Sequence, residues 1–317
     1  MSDMFDEGFR ELQSRLHALY ARPGFKIRRL RQISEALFVE ACAEYSVTTT
    51  QFGVLYVLGQ IDGIDQITVA RLVRLDRSTA GLVIELLENR KMITRCVDAT
   101  DKRRRLLHIT PEGRALLARL ELPASRVVGQ LLDSLSRKDQ KRLLSLIDRL
   151  LGQSNGTDEL LAMEKQILPL LQRPGIMIRR LHQKSFATFL EEGGASGLTP
   201  TQFGILYVVR HCGPVDQITL ARLIAVDRST IALVVRLLTE RGLLEKTVDP
   251  GDKRRRTLVL SQAGIEEHER SLVPAKRAME RWLEPLEQAD RDWLMLAFDR
   301  LISRHEARFS TVPLGAL

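Results

Sequence analysis

The chain has 317 residues, 44 % of them hydrophobic and 28 % charged, which suits two globular domains of roughly 100 to 200 residues better than one. Only 5 % are aromatic while leucine is abundant, so the composition favours helical packing over a β-sandwich. A formal charge of +8 predicts attraction to polyanions, and neither an apolar run of about 20 residues nor a secretory leader is found, so we expect a soluble, cytoplasmic protein with no membrane partner.

The first elements in chain order are predicted to be helices. Apolar residues recur at helical spacing over 27–43, after a break at Arg22-Pro23-Gly24. The three threonines 48–50 then start a second helix over 51–60. This helix is almost entirely apolar, which predicts that it lies at the centre of a core.

A helix-turn-helix and a β-hairpin follow. A short helix over 68–75, a turn at Asp76 and a longer amphipathic helix over 78–90 have helix-turn-helix spacing. Residues 92–97 and 105–109 read as two strands, and the turn between them is strongly basic. A cap and proline at 110–111 then predict a long helix, with further helical pattern at 116–120 and 143–151.

The sequence of the first half recurs in the second half. TQFGVLYV at Thr50 returns as TQFGILYV at Thr201, an offset of 151 positions that also carries DQITVARL onto DQITLARL and DKRRR onto DKRRR without a gap. A period of this length indicates a duplicated domain rather than a short solenoid repeat. We predict one unit over 1–151, a linker over 152–158 and a second unit over 159–317.

The order of these elements, together with the D-R-S-T and D-x-x-D-K-R-R-x-x-L segments in both copies, resembles the MarR family of winged helix-turn-helix regulators. The resemblance implies a mainly α fold with small β-wings (α+β): two winged helix-turn-helix domains sharing a helical pseudo-dimer platform. It also implies a bacterial transcriptional regulator, a repressor by analogy with the family, that binds double-stranded DNA at the nucleoid. A single chain would then act as an intramolecular pseudo-dimer, and no enzymatic activity or cofactor is expected.

The N-terminal ends of the predicted recognition helices are the first candidate DNA contacts, because such ends meet base edges and phosphates. We expect contacts from Arg77, Ser78, Thr79, Arg228, Ser229 and Thr230. The alternative role for Ser78 is that it caps its helix. Further along, Glu85 is replaced by Arg236 in the second copy; since an acid prefers cytosine and arginine prefers guanine, we predict an imperfectly palindromic operator whose halves differ.

The basic hairpin tips are the second candidate contacts, because arginine is attracted to a narrow minor groove. These residues are Lys102, Arg103, Arg104 and Arg105 in the first copy and Lys253, Arg254, Arg255 and Arg256 in the second. The family resemblance implies that Arg103 and Arg254 pair with an acid. This leaves Arg104 and Arg255, with the two lysines, as the expected DNA-facing side chains.

A small aromatic or phenolic effector is implied by the resemblance, bound between the platform helices and the DNA lobe. Candidate ligand residues are Arg28, Arg29, Tyr56, Arg179, Arg180, His182 and Tyr207, although a solvated or core role is the alternative for each. A thiol switch is the rival input, but Cys42, Cys96 and Cys212 have no cysteine at the repeated position.

Other function classes find less support. The six histidines are scattered, and no glycine-rich phosphate loop or nucleophile motif is present, so the sequence predicts no enzyme. The cysteines lack CxxC spacing and a neighbouring histidine cluster, which predicts no disulfide framework and no metal site. A non-specific architectural DNA-binding protein would share the basic charge and remains the alternative reading.

Overall fold

The computed structural model describes residues 2–152, 156–248 and 256–309, a mostly helical fold with small antiparallel sheets. The elements of the first repeat are α1 (Ser2–Arg15), α2 (His17–Tyr20), α3 (Pro23–Ala41), α4 (Thr49–Gln60), β1 (Ile64–Asp65), α5 (Gln66–Val73), α6 (Arg77–Asn89), β2 (Ile93–Val97), β3 (Arg105–Ile109), α7 (Pro111–Leu132) and α8 (Arg137–Leu151). The predicted mainly α fold with β-wings is confirmed.

The second repeat has the same order of helices and wing strands. Its elements are α9 (Asp158–Gln166), α10 (Leu168–Leu171), α11 (Pro174–Gly193), α12 (Pro200–Cys212), α13 (Gln217–Ile224), α14 (Arg228–Glu240), β4 (Leu244–Val248), β5 (Arg256–Leu260), α15 (Gln262–Leu283) and α16 (Gln288–Phe309). Both α3 and α11 start at a proline, because the proline ring suits the first helical turn. In the first repeat this start lies four residues before the predicted helix 27–43.

Side-chain caps set the start of each helix of the helix-turn-helix. Asp65 accepts a hydrogen bond from the Thr68 backbone N–H at 2.8 Å, so α5 begins earlier than the predicted residue 68. It ends at Val73, and the following residue, Arg74, has a left-handed φ of 55° that turns the chain towards Asp76, the cap of α6. The second repeat repeats this turn with Ala225 at a φ of 49°.

Each helix-turn-helix is followed by a β-hairpin, which we call the wing. In the first repeat β2 pairs antiparallel with β3 from Ile93↔Ile109 to Val97↔Arg105, and β1 adds a short third strand through Ile64↔Leu107. In the second, β4 pairs with β5, and Val215 forms an isolated bridge to Leu258 in place of the third strand. The two predicted wing strands of the first repeat are confirmed.

The packing divides the chain into two compact units that do not follow the repeat boundaries. One unit consists of residues 1–30 and 181–317, and the other of residues 31–180. The division falls within α3 and α11 and not at the predicted linker 152–158, of which residues 153–155 lie outside the described part of the chain. The predicted domains 1–151 and 159–317 therefore describe the sequence repeat but not the compact units.

Buried leucines explain the difference in the unit of residues 1–30 and 181–317. Leu16 and Leu19 are 0 % and 3 % exposed and belong to one hydrophobic cluster with Phe203 and Leu206 of α12. The Tyr20 hydroxyl donates to the Leu223 carbonyl of α13 at 3.0 Å. The N-terminal segment of the first repeat thus completes the core around the helix-turn-helix of the second.

The unit of residues 31–180 is completed in the reciprocal way. Ile167 and Leu170 of the second repeat are 0 % and 1 % exposed. Arg74, at the end of α5, pairs with Glu164 of α9 at 2.6 Å. The segment before α11 therefore packs against the helix-turn-helix of the first repeat.

Candidate functional site

The N-terminus of α6 presents a compact polar group. Asp76 accepts hydrogen bonds from Ser78 Oγ at 2.5 Å, Thr79 N at 2.8 Å and Thr79 Oγ1 at 2.6 Å. The hydrogen bond from the Ser78 hydroxyl, followed by those from Thr79, lowers the pKa of Asp76. The cap is therefore Asp76, which replaces the alternative that Ser78 caps the helix, and Arg77 and Ser78 are exposed beside it.

The N-terminus of α14 repeats this group. Asp227 accepts from Ser229 Oγ at 2.5 Å and from the Thr230 backbone N–H at 2.8 Å, and Arg228 and Ser229 are exposed. Because both hydroxyls of a Ser and Thr pair keep acceptor lone pairs after donating to the cap, they can still accept from a base amine. We call α6 and α14 the recognition helices.

The outer face of each recognition helix combines one charged residue with two exposed leucines. Glu85 is exposed on α6, and Arg236 is exposed on α14, where it lies 3.7 Å from Glu240. The leucines are Leu82, Leu86, Leu233 and Leu237, between 39 % and 63 % exposed. The sequence analysis did not select them, although their i, i+4 spacing opposite the buried stripe was a usable signal.

The wing of the first repeat corrects one assignment. Arg104 pairs with Asp65 at 3.0 Å and lies 3.8 Å from Asp98, so Arg104 and not Arg103 is the acid partner. The hydrogen bond that Arg104 donates to Asp65, the largest cause, raises the pKa of Arg104. Arg103 is exposed and uses its backbone N–H to close the turn on Asp101 at 2.9 Å.

The structure describes three of the six remaining wing cations. Lys102 and Arg105 are exposed and, within the described residues, form no ion pair. Lys253, Arg254 and Arg255 lie outside the described residues. Arg256 is the exposed first residue of β5, opposite Val248.

A cleft, which we call cleft 1, lies in the unit of residues 1–30 and 181–317. Its volume is about 790 Å³, including the part open to solvent, and its walls are mainly aromatic and apolar. The Arg22 guanidinium lies over the Phe203 ring, 4.9 Å from its centre, and burial lowers the pKa of Arg22. Arg28 also lines the cleft, and it donates to the Ile224 carbonyl of α13 at 2.5 Å and to the Ala225 carbonyl at 3.4 Å.

A second cleft, cleft 2, lies in the unit of residues 31–180 and has a volume of about 550 Å³ by the same measure. Arg173 lies 5.0 Å from the centre of the Phe52 ring. Arg179 donates to the Val73 carbonyl of α5 at 2.5 Å, and burial, the largest cause, lowers the pKa of Arg179. Arg31 lines this cleft and pairs with Glu35 at 2.7 Å.

The clefts contain part of the predicted ligand set. Arg28 and His182 line cleft 1, and Arg179 lines cleft 2, whereas Arg29, Tyr56, Arg180 and Tyr207 are not among the described residues that line either cleft. Arg29 is buried, and burial lowers the pKa of Arg180. The sequence analysis missed Arg22 and Arg173 because it used their repeated Arg-Pro-Gly motif only as a helix break.

The three cysteines differ in burial. Cys42 and Cys212 are buried, and burial raises the pKa of the Cys42 thiol to about 11, which keeps it protonated at neutral pH. Cys96 is exposed on the wing strand β2. Among the described residues, no group of three or more His, Cys, Asp or Glu is placed to hold a metal ion, and no helix is long and apolar enough to cross a membrane.

Comparison with known proteins places this arrangement in a family. The model of the MarR family matches residues 196–255. A putative transcriptional regulatory protein for the hcr operon of Thauera aromatica is 31 % identical over 140 residues, which cover 42 % of this chain and 81 % of the relative. The chain belongs to the MarR family. As a MarR-family protein it is a transcriptional regulator of the winged helix-turn-helix, DNA-binding type.

Other MarR relatives match a similar length. The transcriptional repressor NicR of Pseudomonas putida is 27 % identical over 135 residues, or 43 % of this chain and 85 % of NicR. A solved structure of a probable transcriptional regulator from Pseudomonas aeruginosa is 37 % identical and covers 42 % of this chain and 98 % of its own, with a TM-score of 0.40. The two curated relatives, NicR and the hcr regulatory protein, each align with less than half of this chain, a length close to one repeat.

Proposed function

We propose that this MarR-family regulator is a repressor that binds one imperfectly palindromic operator with both recognition helices of a single chain. The observation that carries the proposal is the repeated start of the two recognition helices: α6 and α14 each begin with an exposed arginine and serine beside an aspartate cap. The chain thereby supplies the two recognition helices that a two-fold operator needs. The centres of the two half-sites are then about 10 base pairs apart. The relative NicR is named as a repressor, which favours repression here.

The recognition helices read base edges, and the wings hold the neighbouring backbone. Arg77 and Arg228 contact phosphate or guanine, while the serine and threonine that follow each arginine contact bases or phosphates. The exposed leucines, such as Leu82 and Leu233, contact thymine methyl groups. In the wing of the first repeat, Lys102, Arg103 and Arg105 bind phosphate or the minor groove, and Arg104 keeps the wing in place through Asp65.

The two half-sites differ in sequence because the recognition helices differ. Glu85 favours cytosine at the position where Arg236 favours guanine. Each well-placed pair of this kind discriminates by about 1–3 kcal/mol.

An aromatic carboxylate that enters cleft 1 releases the operator. Arg28 is shared between the cleft and the carbonyl of Ile224, the last residue of the first helix of the second helix-turn-helix. An anion in the cleft competes with this carbonyl for the guanidinium. The ligand therefore binds more tightly when Arg28 has left the Ile224 carbonyl of α13 than when Arg28 holds it. Only such a difference in affinity can shift the equilibrium between the DNA-binding and the released state.

Selection of bound sites from random duplexes with the full chain tests the proposal. We expect one short asymmetric site, and operators symmetrised on each half should bind with different affinity. Equal affinity for the two symmetrised operators would contradict the assigned roles of Glu85 and Arg236. Equal protection of every duplex in a footprint would instead indicate a non-specific architectural protein.

A further inference from the structure

Clefts 1 and 2 are built from corresponding positions of the two repeats. Arg22 over Phe203 in cleft 1 corresponds to Arg173 over Phe52 in cleft 2, with ring distances of 4.9 and 5.0 Å. The helix-end contacts also match, since Arg28 donates to Ile224 as Arg179 donates to Val73. The cation and the aromatic ring that a ligand would meet are thus present twice.

Two acids distinguish the clefts. In cleft 2, Glu35 binds Arg31 with both carboxylate oxygens, at 2.7 and 2.8 Å, and Glu121 binds Arg173 at 2.6 Å. The positions corresponding to these acids in the other repeat are occupied by Phe186, which lines cleft 1, and by Leu272. Cleft 1 therefore has Phe186 in its wall where cleft 2 has Glu35, and Arg22 has no counterpart of the Glu121 that pairs with Arg173.

The difference changes what an anion meets. Arg22 forms no ion pair with any described residue, and the walls beside it include Phe186, Phe189 and Trp282. A carboxylate entering cleft 1 finds a partly buried guanidinium and rings for stacking. To pair with Arg173 or Arg31 of cleft 2, a carboxylate has to displace Glu121 or Glu35, and it meets repulsion from the displaced acid.

We propose that the chain binds one aromatic carboxylate, in cleft 1, and that Glu35 and Glu121 compete with a ligand for Arg31 and Arg173 of cleft 2. This inference rests on the proposed function, because it specifies which of two corresponding clefts is the effector site. One effector molecule per chain is therefore enough to change the operator affinity. Cleft 2 then has a structural role in the unit of residues 31–180.

Calorimetric titration of the full chain with 4-hydroxybenzoate, continued to saturation, tests the stoichiometry. We expect one molecule per chain and no binding of the neutral 4-hydroxybenzamide. Trp282 lines cleft 1 and Trp293 is the other tryptophan of the sequence, so a Trp293→Phe background makes tryptophan fluorescence report on cleft 1 alone. Its fluorescence should change in parallel with the calorimetric signal.

Variants that exchange the distinguishing residues extend the test. Glu35→Phe combined with Glu121→Leu should raise the stoichiometry from one to two, with the added site silent in Trp282 fluorescence. If the double variant does not fold, Glu35→Gln alone replaces it in the test, because glutamine keeps the side-chain shape. This single variant should produce measurable binding at the second site. Glu11→Gln, which removes the acid of an exposed ion pair with Arg15, is the matched control and should leave one site.

The outcomes separate the inference from the proposed function. Two sites in the unaltered chain, or one site without a change in Trp282 fluorescence, would overturn the inference while leaving an effector-controlled regulator intact. Binding at one site in cleft 1 that leaves the operator affinity unchanged would support the inference about binding and refute release by the effector. Absence of binding at saturating concentration would overturn both.

Discussion

Truncation of Leu19 to alanine should loosen the winged unit of the second repeat, although Leu19 belongs to the first. Leu19 is 3 % exposed within the cluster that contains Phe203 and Leu206. Leucine-to-alanine changes at such sites cost about 3–5 kcal/mol, because both the transferred apolar surface and the residual cavity contribute. At about 1.4 kcal/mol for each tenfold change, local opening around α12 should increase roughly a hundredfold or more.

Amide hydrogen exchange measures this effect segment by segment. Leu170→Ala is the matched control, since Leu170 occupies the corresponding position of the second repeat and is 1 % exposed. Leu19→Ala should accelerate exchange in α12 to α15, and Leu170→Ala should accelerate it in α4 to α7. If each substitution instead acted within its own repeat, the assignment of the compact units would be refuted.

Three further predictions concern single residues. Burial lowers the pKa of His268 to about 4, below the value near 6.5 of an unfolded histidine. The contribution of this neutral histidine to the free energy of unfolding is therefore fully present above pH 6.5, and it falls by at most about 3 kcal/mol as the pH drops to 4. His268→Leu, which copies Leu117 of the first repeat, should abolish this loss in denaturant unfolding at pH 7.5 and 5, and an unchanged pH dependence would contradict it. Ala225→Gly should raise the free energy of unfolding by about 0.5–1 kcal/mol by relieving a left-handed φ of 49°, and thermal unfolding at equal or lower midpoint would argue against strain there. Arg103→Ala should reduce the salt slope of operator binding by about one unit, whereas Arg104→Ala should also accelerate hydrogen exchange in β2 and β3; identical behaviour of the two variants would reject the distinction between them.

The sequence predicted local structure well where short-range chemistry decides it. Capping aspartates, the tight turn before Asp76 and the alternating wing strands depend on neighbouring residues, and the predicted elements lie close to the observed ones. The family resemblance assigned the acid partner to Arg103, whereas Arg104 forms this pair. That choice depends on Asp65, which lies far from Arg104 in sequence and is brought near by the pairing of β1 with β3.

The exchange of N-terminal segments could not be predicted for a different reason. Periodicity indicates that Leu16 and Leu19 are buried, but it does not indicate against which partner. The two repeats present similar surfaces because their sequences are similar, so either could receive the segment. The two clefts were missed in part for the same reason, since Arg22 and Phe203 come from different repeats.

The exchanged segments constrain how such a regulator could be recombined with its relatives. A crossover at residues 152–158 would join the N-terminal helices of one parent to a helix-turn-helix core from the other, and mismatched leucines would then meet inside both halves. A crossover pair that flanks only α4 to α7 would transfer a complete DNA-reading module and leave the donated helices in place. Chimeras with new operator preference should therefore arise by replacing internal cassettes rather than by exchanging whole repeats.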